Sequence, residues 1–211
     1  MYIERALEPL VRRYSENFKI VAVTGPRQVG KTTMLKHLME EEAESGVDRV
    51  YVTLDNTAIL QTAKEDPALF LQRYRPPVLI DEIQKAPELL PYIKMIVDER
   101  DDCGSVWITG SQPLHLMKAV SESLAGRVGI VEMLGLSHSE VAGTPSEPYL
   151  PSADYFMRRV DMAKPFGVSE AYRQICAGSL PGIRALPDDL RAGGYESYLD
   201  TYIMRDIRDL A

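Results

Sequence analysis

The sequence predicts a three-layer α/β/α sandwich on a five-stranded parallel sheet, and three observations predict it. Apolar runs rich in Val and Ile recur between Lys19 and Met133 with helical patterns between them, as alternating strands and helices do. Several of these runs are apolar almost throughout, which is how strands covered on both faces read. The first run passes directly into a glycine-containing turn and then a helical pattern, so strand, turn and helix follow without a spacer.

The expected strands are Lys19 to Thr24 (KIVAVT), Val50 to Leu54 (VYVTL), Pro77 to Ile80 (PVLI), Ser105 to Thr109 (SVWIT) and Arg127 to Met133 (RVGIVEM). Lys31 to Ala43 and Pro87 to Glu99 read as helices, the second with Pro87 in its first turn and Leu89, Leu90, Ile93, Ile96 and Val97 at helical spacing. Ser137 and Glu140 have the S-x-x-E spacing of a capping box, which predicts a short helix closing a first domain over residues 1–142. Residues 143–153 (GTPSEPYLPSA) gather Pro, Ser and Gly without periodicity and predict a linker. Residues 154–211 then read as the incomplete helical start of a second domain, with helices at Ser169 to Cys176 and Tyr195 to Leu210. On the latter, Tyr198, Leu199, Tyr202, Ile203 and Ile207 form an apolar stripe. So short a segment buries little core by itself, and an N-terminal piece of a longer protein is expected.

Bulk composition excludes several classes. The chain has 211 residues, 45% hydrophobic and 26% charged, which is globular composition with material for one good core. No run of eighteen apolar residues occurs, and the opening MYIERALEPLVRRY is charged where a secretory signal is apolar, so no membrane association and a cytoplasmic location are expected. Cys103 and Cys176 stand far apart, and His37, His115 and His138 form no ligand pattern, which indicates neither a disulfide framework nor a zinc site. A net charge of −7 argues against coating of DNA, which requires a dense basic footprint.

The chemistry lies in Gly25-Pro26-Arg27-Gln28-Val29-Gly30-Lys31-Thr32, a G-x-x-x-x-G-K-[ST] motif between a strand and a helix. Its glycines let the main chain wrap round phosphates, so that amides and the positive end of the following helix face anionic oxygens. Lys31 is expected to bridge the β- and γ-phosphates of ATP, Thr32 to coordinate Mg2+, and Thr33 to donate to the α-phosphate. Downstream, Val78-Leu79-Ile80-Asp81-Glu82 is an apolar strand ending in two acids. Asp81 is expected to hold magnesium-bound water and Glu82 to orient and polarise the attacking water. Strand ends also carry acids simply as solvated turn residues.

Ser111 follows the fourth strand and is the candidate γ-phosphate sensor, with helix capping as its other reading. Arg127 precedes the fifth strand. From there a guanidinium reaches a neighbouring subunit's γ-phosphate or its own, or forms a surface ion pair.

In this order GPRQVGKTT, VLIDEIQKAPELLPYIK, WITGSQ and SLAGR resemble the prokaryotic AAA-type ATPases related to the STAND nucleotide switches. The resemblance implies an ASCE, AAA-like P-loop NTPase fold. It implies Gly25, Gly30, Lys31 and Thr32 as nucleotide residues, Asp81 and Glu82 as the magnesium and water pair, Ser111 as sensor and Arg127 as an arginine finger. Gly178-Ser179-Leu180-Pro181 and YESYLDTYIMRDI are similar to the opening of the family's C-terminal domain of unknown function, although the usual Gly-Gly reads Gly178-Ser179 here. Family members continue through a winged-helix region and a nuclease-like segment, so any DNA or protein partner is expected to be met by that further part.

Asp55 and Asn56 read as a cap for a helix from Thr57 to Lys64 rather than as site residues. Tyr2 and Ile3 resemble the stretch that packs near adenine in AAA-type proteins, and equally read as core. Arg184 reads as exposed rather than as a lid arginine. Two functional classes follow: an ATPase that drives a conformational cycle on a partner, with self-association through Arg127, or a slow switch that holds ADP or ATP. A phosphotransferase shares the phosphate cradle, but the adjacent Asp81-Glu82 counts against it.

Overall fold

The computed structural model describes residues 2–111, 123–144, 150–162 and 166–203. The described chain divides into two compact units, residues 7–135 and residues 1–6 with 136–211. Packing thus breaks the chain at Leu136, whereas composition drew the break at Gly143.

In the first unit the strands are β1 Ile20–Thr24, β2 Val50–Thr53, β3 Val78–Asp81, β4 Val106–Gly110 and β5 Val128–Glu132. Each matches its expected segment to within a residue at either end, because Val- and Ile-rich runs flanked by Gly, Pro and charge define strands locally. All pair in parallel, in the order β2-β3-β4-β1-β5. The insertion of β4 between β1 and β3 fixes the site, since the carboxy ends of these three strands lie side by side.

The helices are α1 Glu8–Asn17, α2 Lys31–Glu44, α3 Thr57–Glu65, α4 Pro67–Arg73 and α5 Leu89–Asp98. Asn56 caps α3, its side chain accepting from Ala58 N at 3.0 Å and Ile59 N at 3.3 Å, as its residue type suggested. Sequence periodicity did not reveal α1 and α4. Both carry proline in the first turn, where no N–H is needed, and the Asp66 side chain starts α4 by accepting from Leu69 N at 2.9 Å.

One face of the sheet, with Ile20, Ala22, Ile80 and Ile108, packs with Phe70, Leu71, Leu89, Leu90 and Ile93 of α4 and α5. Each of the Ile, Leu and Phe side chains gains roughly 1.5–3 kcal/mol by full burial. Strand alternation turns Val21, Val23, Leu79 and Trp107 to the other face. There Trp107 Nε1 donates to Ser15 Oγ of α1 at 2.9 Å. The Arg49 guanidinium stacks 3.8 Å from the Trp107 ring while its fork holds Glu42 of α2 at 2.9 and 3.1 Å.

In the second unit the described elements are all helical: α6 His138–Val141, α7 Ala153–Met162, α8 Val168–Ala177, α9 Pro181–Arg184, α10 Arg191–Tyr198 and a wider turn at Leu199–Ile203. The capping box forms as expected, Glu140 N donating to Ser137 Oγ at 3.2 Å and Ser137 N to Glu140 Oε2 at 2.7 Å. Glu140 also accepts from Ala6 N at 2.8 Å and Arg5 Nε at 3.0 Å. Periodicity did not reveal α7, which begins where the linker was expected to end. The apolar stripe expected on the last helix lies partly outside the described residues, at Ile207, and its Leu199 is 52% exposed.

Candidate functional site

The turn between β1 and α2 is shaped by two glycines. Gly25 has φ of +138°, and a Cβ there would stand 2.0 Å from the Met133 carbonyl oxygen, so only glycine lets the chain leave β1 beside β5. Gly30 sits at φ 97° immediately before α2 and supplies no capping side chain. The first-turn amides of α2 therefore lack the side-chain acceptor that a Ser or Asp would provide, and an anion suits them.

Lys31, the first residue of α2, is only 6% exposed. Its Nζ donates to the carbonyls of Gly25 at 2.9 Å and Pro26 at 2.7 Å. Burial holds the ammonium below its usual pKa, and Arg27 pushes the same way, while Glu82 and Asp81 partly offset them. A buried cation whose partners are neutral carbonyls is matched to an incoming anion. Pro26, Arg27, Gln28 and Val29 form the rest of the loop, with Gln28 at φ 61° and Val29 buried. Thr33 is exposed in the first turn of α2.

Thr32 Oγ1 donates to Asp81 Oδ1 at 2.8 Å, which brings the loop to the end of β3. Asp81 is buried and also accepts from Thr109 Oγ1 and, at 3.2 Å, from Tyr51 OH. Burial, then the Asp81 charge, pushes the Tyr51 hydroxyl up to about 12, so it stays a donor. A hydroxyl and a carboxylate oxygen side by side are hard ligands of the kind Mg2+ takes, completed by water and phosphate rather than by a protein cage. Among the described residues no group of three His, Cys, Asp or Glu side chains is placed to hold a metal ion.

Glu82 follows at φ 60° and ψ 45°, a left-handed conformation rare outside glycine. This turns its chain off β3 toward β4. The Thr109 hydroxyl accepts from Glu82 N at 3.1 Å, and the buried Ser111 donates from Oγ to Glu82 Oε2 at 3.1 Å. Lys31, Thr32, Asp81, Glu82 and Ser111 thus meet at the carboxy ends of β1, β3 and β4. The other reading of Ser111, a helix cap, concerns residues outside those described.

Arg127 is not in this group. Its main-chain carbonyl accepts from Ile20 N at 3.0 Å, so it stands where β1 begins, whereas the phosphate loop leaves β1 at Thr24. Five strand residues separate the two by about 16 Å, well beyond the reach of one arginine side chain. The expectation that Arg127 reaches the phosphate of its own chain is thereby corrected. Its guanidinium instead forms a two-pronged ion pair with Asp98 of α5, Nη2 to Oδ2 being 2.9 Å, and donates to Ala125 O at 2.9 Å. Arg184, within the second unit, donates to Gly178 O at 2.9 Å and to Gln174. Asp55 pairs with Lys85.

Sequence reading missed Tyr51, Thr109 and Gln84. Thr109 carried a signal, as a polar residue at the end of an otherwise apolar strand. Tyr51 carried none, because its approach to Asp81 depends on β2 lying beside β3, with Thr53 in register with Asp81.

Two uncharacterised mycobacterial proteins, Rv2008c of Mycobacterium tuberculosis and Mb2031c of Mycobacterium bovis, are each 29% identical to 95% of this chain. The chain spans 38% of their length. Among solved structures, the Walker-type ATPase PABY2304 of Pyrococcus abyssi matches 99% of the chain and 75% of its own length, with TM-score 0.57 and 15% identity. AMPPCP-bound DnaA of Aquifex aeolicus matches 99% and 68%, with TM-score 0.56 and 15% identity. At such identities these two establish the fold alone. The profile of the AAA domain family covers residues 17–142, more than half of the chain and every candidate site residue, and the chain belongs to this AAA-type family of P-loop ATPases.

Proposed function

We propose that the chain binds ATP with Mg2+ and hydrolyses it to ADP and phosphate, using the turnover to drive a conformational change in a partner or a C-terminal domain. The supporting observation is the meeting of a buried Lys31 with Thr32, Asp81, Glu82 and Ser111 at three adjacent strand ends. In this reading Gly25 to Gly30 and the first amides of α2 receive the phosphates, with Thr33 on the α-phosphate. Lys31 exchanges its carbonyl partners for the β- and γ-oxygens, and Ser111 donates to the γ-phosphate. Thr32 and Asp81 would hold Mg2+, which supplies charge neutralisation when bound. Glu82 orients the attacking water and draws off its proton as the phosphoryl group leaves ADP.

Arg127 belongs to the proposal only between copies of the chain, as a finger offered to a neighbour's γ-phosphate after leaving Asp98. A cytoplasmic location is part of the same reading. Among the described residues no helix is long and apolar enough to cross a membrane.

The alternative, a slow nucleotide switch linked to DNA or protein binding, is favoured by one observation. Glu82 Oε2 is already engaged by Ser111 and Gln84, which ties up the water-orienting group. Single-turnover hydrolysis of Mg-ATP by wild type and Glu82→Gln tests the proposal. The substituted chain is expected to bind ATP and lose hydrolysis by about 10²–10⁴-fold. Equal rates would remove Glu82 from the mechanism, and a rate in wild type slower than minutes would favour the switch.

A further inference from the structure

The geometry points to Gln84 as a positioning residue that couples the γ-phosphate sensor to the water-orienting glutamate; this inference rests on the roles proposed above for Ser111 and Glu82. The short helical turn Ile83–Lys85 follows the left-handed Glu82 and folds Gln84 back over the carboxylate. Its Nε2 donates both to Glu82 Oε2 and, at 3.1 Å, to Ser111 Oγ. Ser111 Oγ in turn donates to the same Glu82 oxygen at 3.1 Å, closing a three-membered ring of amide, hydroxyl and carboxylate. Both N–H bonds of the amide are used. The orientation of the amide is settled by chemistry, since an acceptor-only carboxylate requires the nitrogen on its side.

The other end of the amide makes the case. Gln84 Oε1 is buried with no partner among the described residues, an arrangement that costs free energy in a folded protein. An amide serving only to fill space would be replaced without loss by an apolar side chain of the same length. Here it supplies two donors at one spot and leaves its acceptor idle.

The consequence for Ser111 is directional. With Gln84 occupying one lone pair of Oγ, the single hydroxyl proton points either at Glu82 or at an arriving phosphate oxygen. When the γ-phosphate accepts that hydrogen bond, Glu82 loses one donor and keeps Gln84. The carboxylate is then held at one oxygen and released toward water, with Ser111 and Glu82 still joined through the amide. Gln84 approaches neither the Lys31 ammonium nor the Thr32–Asp81 pair in any hydrogen bond described, so its effect is on turnover and not on nucleotide affinity.

The test uses Gln84→Met, which keeps the length and removes both donors, and Gln84→Glu, which keeps the shape and removes them as well. Both are expected to lower the single-turnover rate at saturating Mg-ATP by about tenfold or more, with affinity for AMPPCP within about twofold of wild type. The melting temperature of Gln84→Met is expected to be equal to or higher than that of wild type, since the idle carbonyl is gone; a purely structural glutamine would show a fall. Placed on Ser111→Ala, Gln84→Met is expected to remove less than about threefold further, because the two act as one unit. Turnover within about twofold of wild type in both Gln84 variants, or full additivity with Ser111→Ala, would overturn the inference. Inactive Glu82→Gln alongside active Gln84 variants would sink this inference alone, whereas active Glu82→Gln would sink the reading beneath it.

Discussion

Replacing Lys31 by Met separates what the lysine does for ATP from what it does for the fold. Lys31 is 6% exposed and its ammonium is bonded to two carbonyls. Desolvating such a charge costs several kcal/mol, and two hydrogen bonds from a charged donor return about 1.5–3 kcal/mol each. The two terms nearly cancel, so Lys31→Met is expected to leave the ligand-free melting temperature within a few degrees of wild type. Facing a phosphate charge at about 4 Å, the same ammonium contributes about 4 kcal/mol at an effective dielectric near 20, or about 10³ in affinity. Equilibrium titration with Mg-ATP should show a loss of about 10²–10³-fold. Burial holds the Lys31 pKa below 10.5, so the charge that serves ATP disappears at lower pH than on an exposed lysine, and affinity should fall as pH rises through that range. The sign for the fold is opposite: the buried charge is destabilising at neutral pH, and the burden is relieved between the folded pKa and 10.5. Affinity lost by less than tenfold, or a melting temperature that collapses, would refute this account of the loop.

Three further outcomes follow from the geometry. Thr109→Val leaves the Glu82 N–H without its acceptor and removes one of the three hydroxyl donors to Asp81, and should lower the urea-derived stability by about 2 kcal/mol together with the hydrolysis rate. Arg127→Ala should leave the per-chain rate unchanged at high dilution. If Arg127 serves a neighbour, wild-type activity rises with protein concentration, the variant's does not, and mixing it with Lys31→Met restores part of the rise. Burial opposes ionisation of Glu140, but the N–H groups of Ser137 and Ala6 and the Arg5 guanidinium more than compensate and hold its pKa below 4.5. The stability it contributes is full above 4.5 and lost as pH falls through the lower folded value, so Glu140→Gln should flatten an acid-unfolding curve in that window.

The phosphate loop, the acids of β3 and the strands were legible in the sequence for local reasons. A G-x-x-x-x-G-K-T turn needs its own glycines and lysine, and a strand buried on both faces must be apolar wherever it lies in the sheet. The Asn56 cap and the Ser137–Glu140 box were legible likewise, since a cap is made within a few residues of chain. Helices α1 and α4 escaped notice because α1 precedes the first strand, outside the strand–helix alternation, and α4 is a seven-residue helix that follows almost directly on α3.

Strand order was decided only in three dimensions. It placed β4 between β1 and β3, set Tyr51 and Thr109 on Asp81, and closed Ser111 onto Glu82 and Gln84, joining residues 27 or more positions apart. Arg127, which precedes its strand where Glu82 and Ser111 follow theirs, lies at the opposite end of β1 from the loop because β1 and β5 run parallel. Residue types specify which groups are able to hold a phosphate or turn a water; the direction in which parallel strands run, and which of them are neighbours, decides which groups meet.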